Sequence, residues 1–156
     1  MYLWLKLLHV VAVIAFLGNI TTGLFWHAHA ARSRNPALLA FTMEGIIRSD
    51  RLFTIPGVFG IILSGVATAM LGDLPILGTR WILWTLLLFA VSGLVFGFRV
   101  APLQRRLLAL AESGVRSGSF EYPRYQALAR RWETWGAVAL VTPLLGLIFM
   151  VLKPAL

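Results

Sequence analysis

The sequence contains four long apolar stretches, which strongly limit the folds that it can adopt. They lie at residues 2–26, 53–71, 81–100 and 135–152. A helix needs about 20 apolar residues to cross the roughly 30 Å hydrocarbon core of a bilayer, and each stretch is close to that length. Backbone polar groups in lipid must be paired within the structure, and a helix pairs its own. The sequence therefore predicts an all-α protein, an integral membrane four-helix bundle.

Composition agrees with this fold class and limits the kinds of site. Apolar residues make up 59% of the chain and charged residues 13%, unlike a soluble domain, and 156 residues are enough for a single transmembrane domain spanning 1–156. The net charge of +8 would suggest nucleic acid for a soluble protein, but the arginines flank apolar spans, so the expected partner is the lipid bilayer and not nucleic acid. The absence of cysteine excludes disulfides and thiolate metal sites.

Positive charge is concentrated in two connecting segments, one after the first span and one after the third. Together they hold 11 of the 14 basic residues, at positions 32, 34, 48, 51, 99, 105, 106, 116, 124, 130 and 131. The positive-inside rule therefore predicts that both segments lie in the cytoplasm and that both termini lie outside.

Both connecting segments have helical patterns. Pro36 suits the first turn of a short helix on the inner leaflet, and Asp50 suits the N-cap of the second span. Residues 104–112 continue the third helix, and the segment from Ser113-Gly114 to Gly118 should break it, so the bundle is expected to have helical cytoplasmic extensions. Small residues predict close helix packing in the second and third spans: Gly57, Gly60, Gly65, Gly93 and Gly97.

The first span holds most of the polar residues that fall inside the membrane, and His9 is the leading candidate among them. A neutral imidazole can be an axial ligand to haem iron or a metal ligand. The alternative is a histidine that is hydrogen-bonded across helices. His27 and His29 lie at the cytoplasmic end beside Arg32, where a solvated interfacial role or a two-histidine metal site are the alternatives.

One face of the first helix carries a set of candidate cofactor-binding residues. His9 and His27 are 18 positions apart, which is five helical turns or about 27 Å along the axis. Small, aromatic and polar residues lie near the line that joins them, and this stripe could accept a planar ligand or a neighbouring helix. Lys6 either snorkels to the outer surface or meets a propionate. The full candidate set is His9, Lys6, Asn19, Phe16, Gly23 and His27.

The histidine count restricts haem ligation. All three histidines lie on one helix, so two helices of the same chain cannot supply a pair of histidine ligands. A sixth ligand would come from a methionine, a water, an open position or a second subunit across a two-fold axis. The sequence thus suggests a homodimer.

Several motifs point to known families. The first helix begins YLWLKLLHV over residues 2–10 and places Gly18 nine positions after His9. This start resembles the first helix of the HemJ-type protoporphyrinogen IX oxidases and of the copper-resistance protein D family. Further marks along the chain are Asp50-Arg51 before Pro56, Trp81, Pro102-x-Gln104-Arg105-Arg106, Trp135-Gly136 and MVLKP at 150–154. With these, the whole chain is similar to an uncharacterised bacterial family of four-helix predicted integral membrane proteins.

The resemblance implies a bacterial inner membrane location, and three functions stay open. The first is a haem b-binding redox component, a membrane oxidoreductase with His9 as ligand and a membrane redox partner. A lysine in the third helix of the oxidases has no counterpart in residues 81–100. The second is a non-enzymatic accessory or partner-binding subunit that docks through its basic cytoplasmic segments. The third is copper handling at His9.

Overall fold

The computed structural model describes residues 1–154, and all its regular elements are helices. The prediction of an all-α fold with four apolar spans is confirmed, because four continuous helical segments are long and apolar enough to cross a membrane. The six α-helices are α1 (Tyr2–Ala31), α2 (Pro36–Ser49), α3 (Ile55–Leu71), α4 (Arg80–Val95), α5 (Ala101–Ser117) and α6 (Tyr122–Leu152).

Two π-helical turns fuse neighbouring helices into longer rods. The turn at Asp50–Thr54 joins α2 to α3, and the turn at Phe96–Val100 joins α4 to α5. A proline follows each turn at its second position, Pro56 after the first and Pro102 after the second. Proline has no N–H, so its place next to a π-turn lets the helix continue with an altered hydrogen-bond register.

The helix ends follow local chemistry. Asn35 caps α2, because its Oδ1 accepts hydrogen bonds from the backbone N–H groups of Ala37 and Leu38, and Pro36 occupies the first turn as predicted. Gly118 ends α5 with a φ of 66°, a left-handed conformation that glycine adopts without strain. The break predicted over residues 113–118 is confirmed only at Gly118, because α5 continues through Ser113 and Gly114 to Ser117.

Two expectations for the first connecting segment are wrong. Asp50 is not an N-cap, because it lies inside a continuous helical segment and its carboxylate accepts side-chain hydrogen bonds. Nor is α2 a separate helix on the leaflet. It runs into α3 and buries Leu39, Met43 and Ile46 in the protein core, packed on α1 and α5.

The bundle has two halves of different construction. In the terminal half, which holds both chain ends and residues 72–79, α1 packs on α3 and α4 packs on α6. Among the described residues, no Cα atom of α3 comes within 8 Å of one in α4 or α6, and none in α1 comes within 8 Å of one in α4. The two pairs meet through side chains, as where the Phe16 and Phe89 ring centroids lie 5.5 Å apart.

The basic half holds the arginine-rich segments and is a closed core. There α1, α2, α5 and α6 surround fully buried side chains that include Leu39, Leu107 and Tyr125. The 30 residues of α1 extend about 45 Å, which is longer than an upright helix needs to cross the roughly 30 Å of a hydrocarbon core.

Candidate functional site

His9 lies in the terminal half, half-buried between α1 and α3. Its Nδ1 is 3.1 Å from the Ile61 carbonyl oxygen and 3.2 Å from Ser64 Oγ. A carbonyl only accepts, so the contact with Ile61 requires that Nδ1 carries the hydrogen and donates it. In the neutral ring Nε2 is then the unprotonated nitrogen, and among the described residues no hydrogen bond engages it.

Glycines on α3 make this approach of α1 possible. A Cβ at Gly65 would lie 3.0 Å from His9 Cε1, and one at Gly60 would lie 3.2 Å from Ala12 Cβ. The predicted small-residue face is confirmed for Gly57, Gly60 and Gly65. The third span differs, because no described residue lies within 4 Å of a Cβ placed at Gly93 or Gly97, so the predicted packing at these two glycines is not found within residues 1–154.

A polar network centred on Asp50 joins three helical segments. Asp50 Oδ1 accepts hydrogen bonds from Asn19 Nδ2 at 2.9 Å and from Thr54 Oγ1 at 2.7 Å, and Oδ2 accepts one from Gln104 Nε2 at 2.8 Å. Asn19 Nδ2 also donates to Thr54 Oγ1 at 2.8 Å. Asp50 is only 6% exposed, and Thr54 and Gln104 are also buried.

A second buried network surrounds His27 in the basic half. The ring is fully buried, its Nε2 is 3.0 Å from the Tyr125 hydroxyl, and its centroid is 4.7 Å from that of Trp132. Its Nδ1 is 3.3 Å from Glu133 Oε1, but without the alignment of a hydrogen bond. Glu133 borders a cleft of about 100 Å³ that Tyr122 and Arg130 also line.

A larger cavity lies where the two helix pairs diverge. It has a volume of about 200 Å³ and lies between α1, α3 and α4, with phenylalanines 16, 59, 89 and 96 in its wall and Thr54 at its edge. His9 does not line it. The cavity is thus apolar, and it lies toward the middle of the bundle rather than beside His9.

The structure does not bring the predicted set together at one place. Asn19 bonds to Asp50, Phe16 lies against Phe89, and a Cβ at Gly23 would lie 3.6 Å from Ile46, so each serves contacts between helices. Lys6 is exposed. His27 points into the basic core while His29 is exposed and stacks on Phe25, so the two do not face a common ligand. No three His, Asp or Glu side chains within residues 1–154 are grouped as a metal site would require.

The sequence pattern of one protein family matches almost the whole chain. This family is described as "Predicted integral membrane protein (DUF2269)", and the match covers residues 3–154. The chain belongs to this family. No curated protein and no solved structure matches it.

Sequence reasoning missed the side chains that contact Asp50 and His27 in this DUF2269 chain. Asp50 was expected at a helix end, Gln104 was noted only as part of a family motif, and Tyr125 and Glu133 were not singled out. One signal was available, because Asp50 and Thr54 are four positions apart at the edge of an apolar span, where a carboxylate is costly. Gln104 lies 54 positions from Asp50, and Tyr125 lies 98 positions from His27. No local sequence pattern connects residues so far apart.

Proposed function

We propose that this membrane protein is a haem b-binding redox component in which His9 is an axial ligand through Nε2. The geometry of His9 carries the proposal. Haem and metal ligands of this kind commonly donate their other ring N–H to a backbone carbonyl, which fixes the tautomer and aims the free nitrogen. His9 has this arrangement, since Nδ1 donates to Ile61 and Nε2 is left unbonded.

The surroundings of His9 fit such a ligand in part. Gly65 leaves room for the imidazole, and Ser64 Oγ adds a second contact at Nδ1. A bound haem b would supply one-electron transfer. The chain's own contribution is to hold the imidazole between two helices and to keep Nε2 unprotonated.

Other members of the candidate set have protein partners instead. Asn19 and His27 are hydrogen-bonded, and His27 is about 27 Å from His9 along α1. A second copy of the chain, related by a two-fold axis, would supply a second His9 as the sixth ligand.

The proposal includes a location. The arginine-rich half faces the cytoplasm of a bacterial inner membrane, which places both termini and His9 toward the outer side. The apolar helices support membrane insertion, and the distribution of arginine supports this sidedness.

The test is the visible spectrum of the full chain, purified in mild detergent from haem-replete cells, oxidised and then reduced with dithionite. We expect a Soret band and α and β bands that sharpen on reduction. His9→Ala should abolish them, while His29→Ala, a matched change at an exposed histidine of the same helix, should leave them unchanged. A colourless wild-type protein would overturn the haem proposal. Bands that survive in His9→Ala would overturn the assignment of His9 as the axial ligand.

A second candidate function is a non-enzymatic accessory subunit. It is favoured by the exposed arginines of the basic half, such as Arg105, Arg106 and Arg131, and by the unpacked glycines of α4. A colourless protein would support this reading. Copper handling at His9 has less support, because a copper site needs several ligands and no group of three acidic or histidine side chains occurs in the described part of the chain.

A further inference from the structure

The Asp50 carboxylate is the most deeply buried acid in the described chain, and every group that contacts it is neutral. Asn19 approaches from α1, Gln104 from α5, and Thr54 from the same π-helical turn. None of the ion pairs seen in the described part of the chain, His27–Glu133, Arg116–Glu112 and Arg124–Glu121, includes Asp50. The neighbouring Arg48 and Arg51 are exposed.

The position of this carboxylate makes the missing counter-charge important. Its partner Asn19 is 17 residues along α1 from Tyr2, or about 26 Å, which is near one edge of a hydrocarbon core of roughly 30 Å. A buried charge is normally paired, bound to a metal ion or neutralised by a proton, because an isolated charge in a medium of low dielectric constant is costly. Neutral hydrogen-bond donors lower that cost but do not balance the charge.

The side chains around Asp50 also form a set of oxygen donors. Besides the two carboxylate oxygens there are the Thr54 hydroxyl and the amide oxygens of Asn19 and Gln104. The two amides point their nitrogens at the carboxylate and donate hydrogen bonds to it, as an ionised carboxylate without a bound cation requires. A half-turn of each amide would exchange nitrogen for oxygen in the same place. Carboxylate, hydroxyl and amide oxygens are ligands for hard cations.

We propose that Asp50, Asn19, Thr54 and Gln104 form a binding site for one monovalent cation, which is either a proton on the Asp50 carboxyl or a sodium ion among the side-chain oxygens. A single positive charge makes the site neutral, whereas a divalent ion would leave a net buried charge. The site is separate from His9 and does not depend on haem binding. Its occupancy connects α1 to α5 through the turn that precedes α3, at the level where the two helix pairs diverge.

The test is the melting temperature of the full chain in detergent, in sodium chloride and in choline chloride at equal ionic strength, over a range of pH. A ligand that binds only the folded state raises the melting temperature, and a concentration of 100 times its Kd should give a rise of about 5–10 °C in a protein of this size. A rise in sodium but not in choline identifies the sodium ion. Asp50→Asn should abolish it, and Glu44→Gln, at an exposed acid of α2, should not.

The proton is identified by a separate measurement. If sodium and choline give equal melting temperatures, the infrared band of a protonated buried carboxyl should appear as the pH falls. It should be lost in Asp50→Asn and retained in Glu133→Gln. Should Asp50→Asn fail to fold, Gln104→Met removes one ligand, and it should shift the midpoint of the sodium or pH titration of the wild-type protein. Equal melting temperatures in both salts, with no carboxyl band assignable to Asp50, would overturn the proposal.

Discussion

The two halves of this bundle use similar helices in different ways. In the basic half, four helices close around large side chains such as Leu107 and Tyr125, and both are fully buried. In the terminal half, the same chain forms two helix pairs whose backbones stay apart, and large apolar residues such as Ile14 and Leu63 are exposed. In a membrane the exposed residues face lipid, so they carry no penalty that would force the pairs together.

The difference teaches where each half obtains its stability. In the proposed orientation the core of the basic half extends beyond the lipid tails, where it gains from the hydrophobic effect as a soluble protein does. Helices inside the bilayer gain mainly from close packing and hydrogen bonds, and α1 and α3 use both at His9, Ser64 and Gly65. We therefore expect the basic half to contribute more to the free energy of unfolding than the terminal half.

We expect the largest change in the free energy of unfolding from a substitution in the core of the basic half. Trp132 is 2% exposed and packs against His27, so Trp132→Ala should leave a cavity and lower the free energy of unfolding by about 3–5 kcal/mol. The matched change in the terminal half is Ile14→Ala, at a side chain that is 65% exposed, and it should cost less than about 0.5 kcal/mol. Both are measured by denaturant unfolding in the same mixed micelles. Equal losses would contradict the division into two halves.

A smaller effect tests packing inside the terminal half. Gly65→Ala places a Cβ 3.0 Å from His9 Cε1, and the ring cannot retreat without weakening its bond to Ile61. We expect a loss of about 1–3 kcal/mol, typical of overpacking. Gly93→Ala meets open space within the chain and should be neutral or stabilising by up to about 1 kcal/mol. A marked loss in Gly93→Ala would instead show that α4 packs against another chain at this glycine.

The sequence was sufficient for the features that depend on local pattern. Apolar length predicts the four spans, and Pro36 and Gly118 mark helix ends that the structure contains. The same local logic misplaced Asp50, because an acid before an apolar run is an ordinary N-cap. Only tertiary structure shows that α2 continues through a π-helical turn and that Asn19 and Gln104 approach the carboxylate from other helices.

The candidate site shows the same limit. Helical periodicity places His9, Asn19 and His27 near one line on α1, and this much is geometry of a single helix. It does not give the neighbour that each residue meets. The neighbours are α3 for His9, the Asp50 turn for Asn19 and α6 for His27, so the stripe divides into three separate environments. Whether His9 binds haem stays a prediction.

The smallest expected effect concerns surface charge in the basic half. Arg116 and Glu112 form an i,i+4 pair on α5 with 3.7 Å between Nη1 and Oε2, and both side chains are largely exposed. Solvent screens such a pair, so Glu112→Gln should change the free energy of unfolding by no more than about 0.5 kcal/mol, and high salt should remove the difference. The comparison with Trp132→Ala separates two sources of stability in one half of the molecule. If Glu112→Gln cost as much as the tryptophan change, the basic half would be held by its charged surface rather than by its buried core, and the contrast with the terminal half would need another explanation.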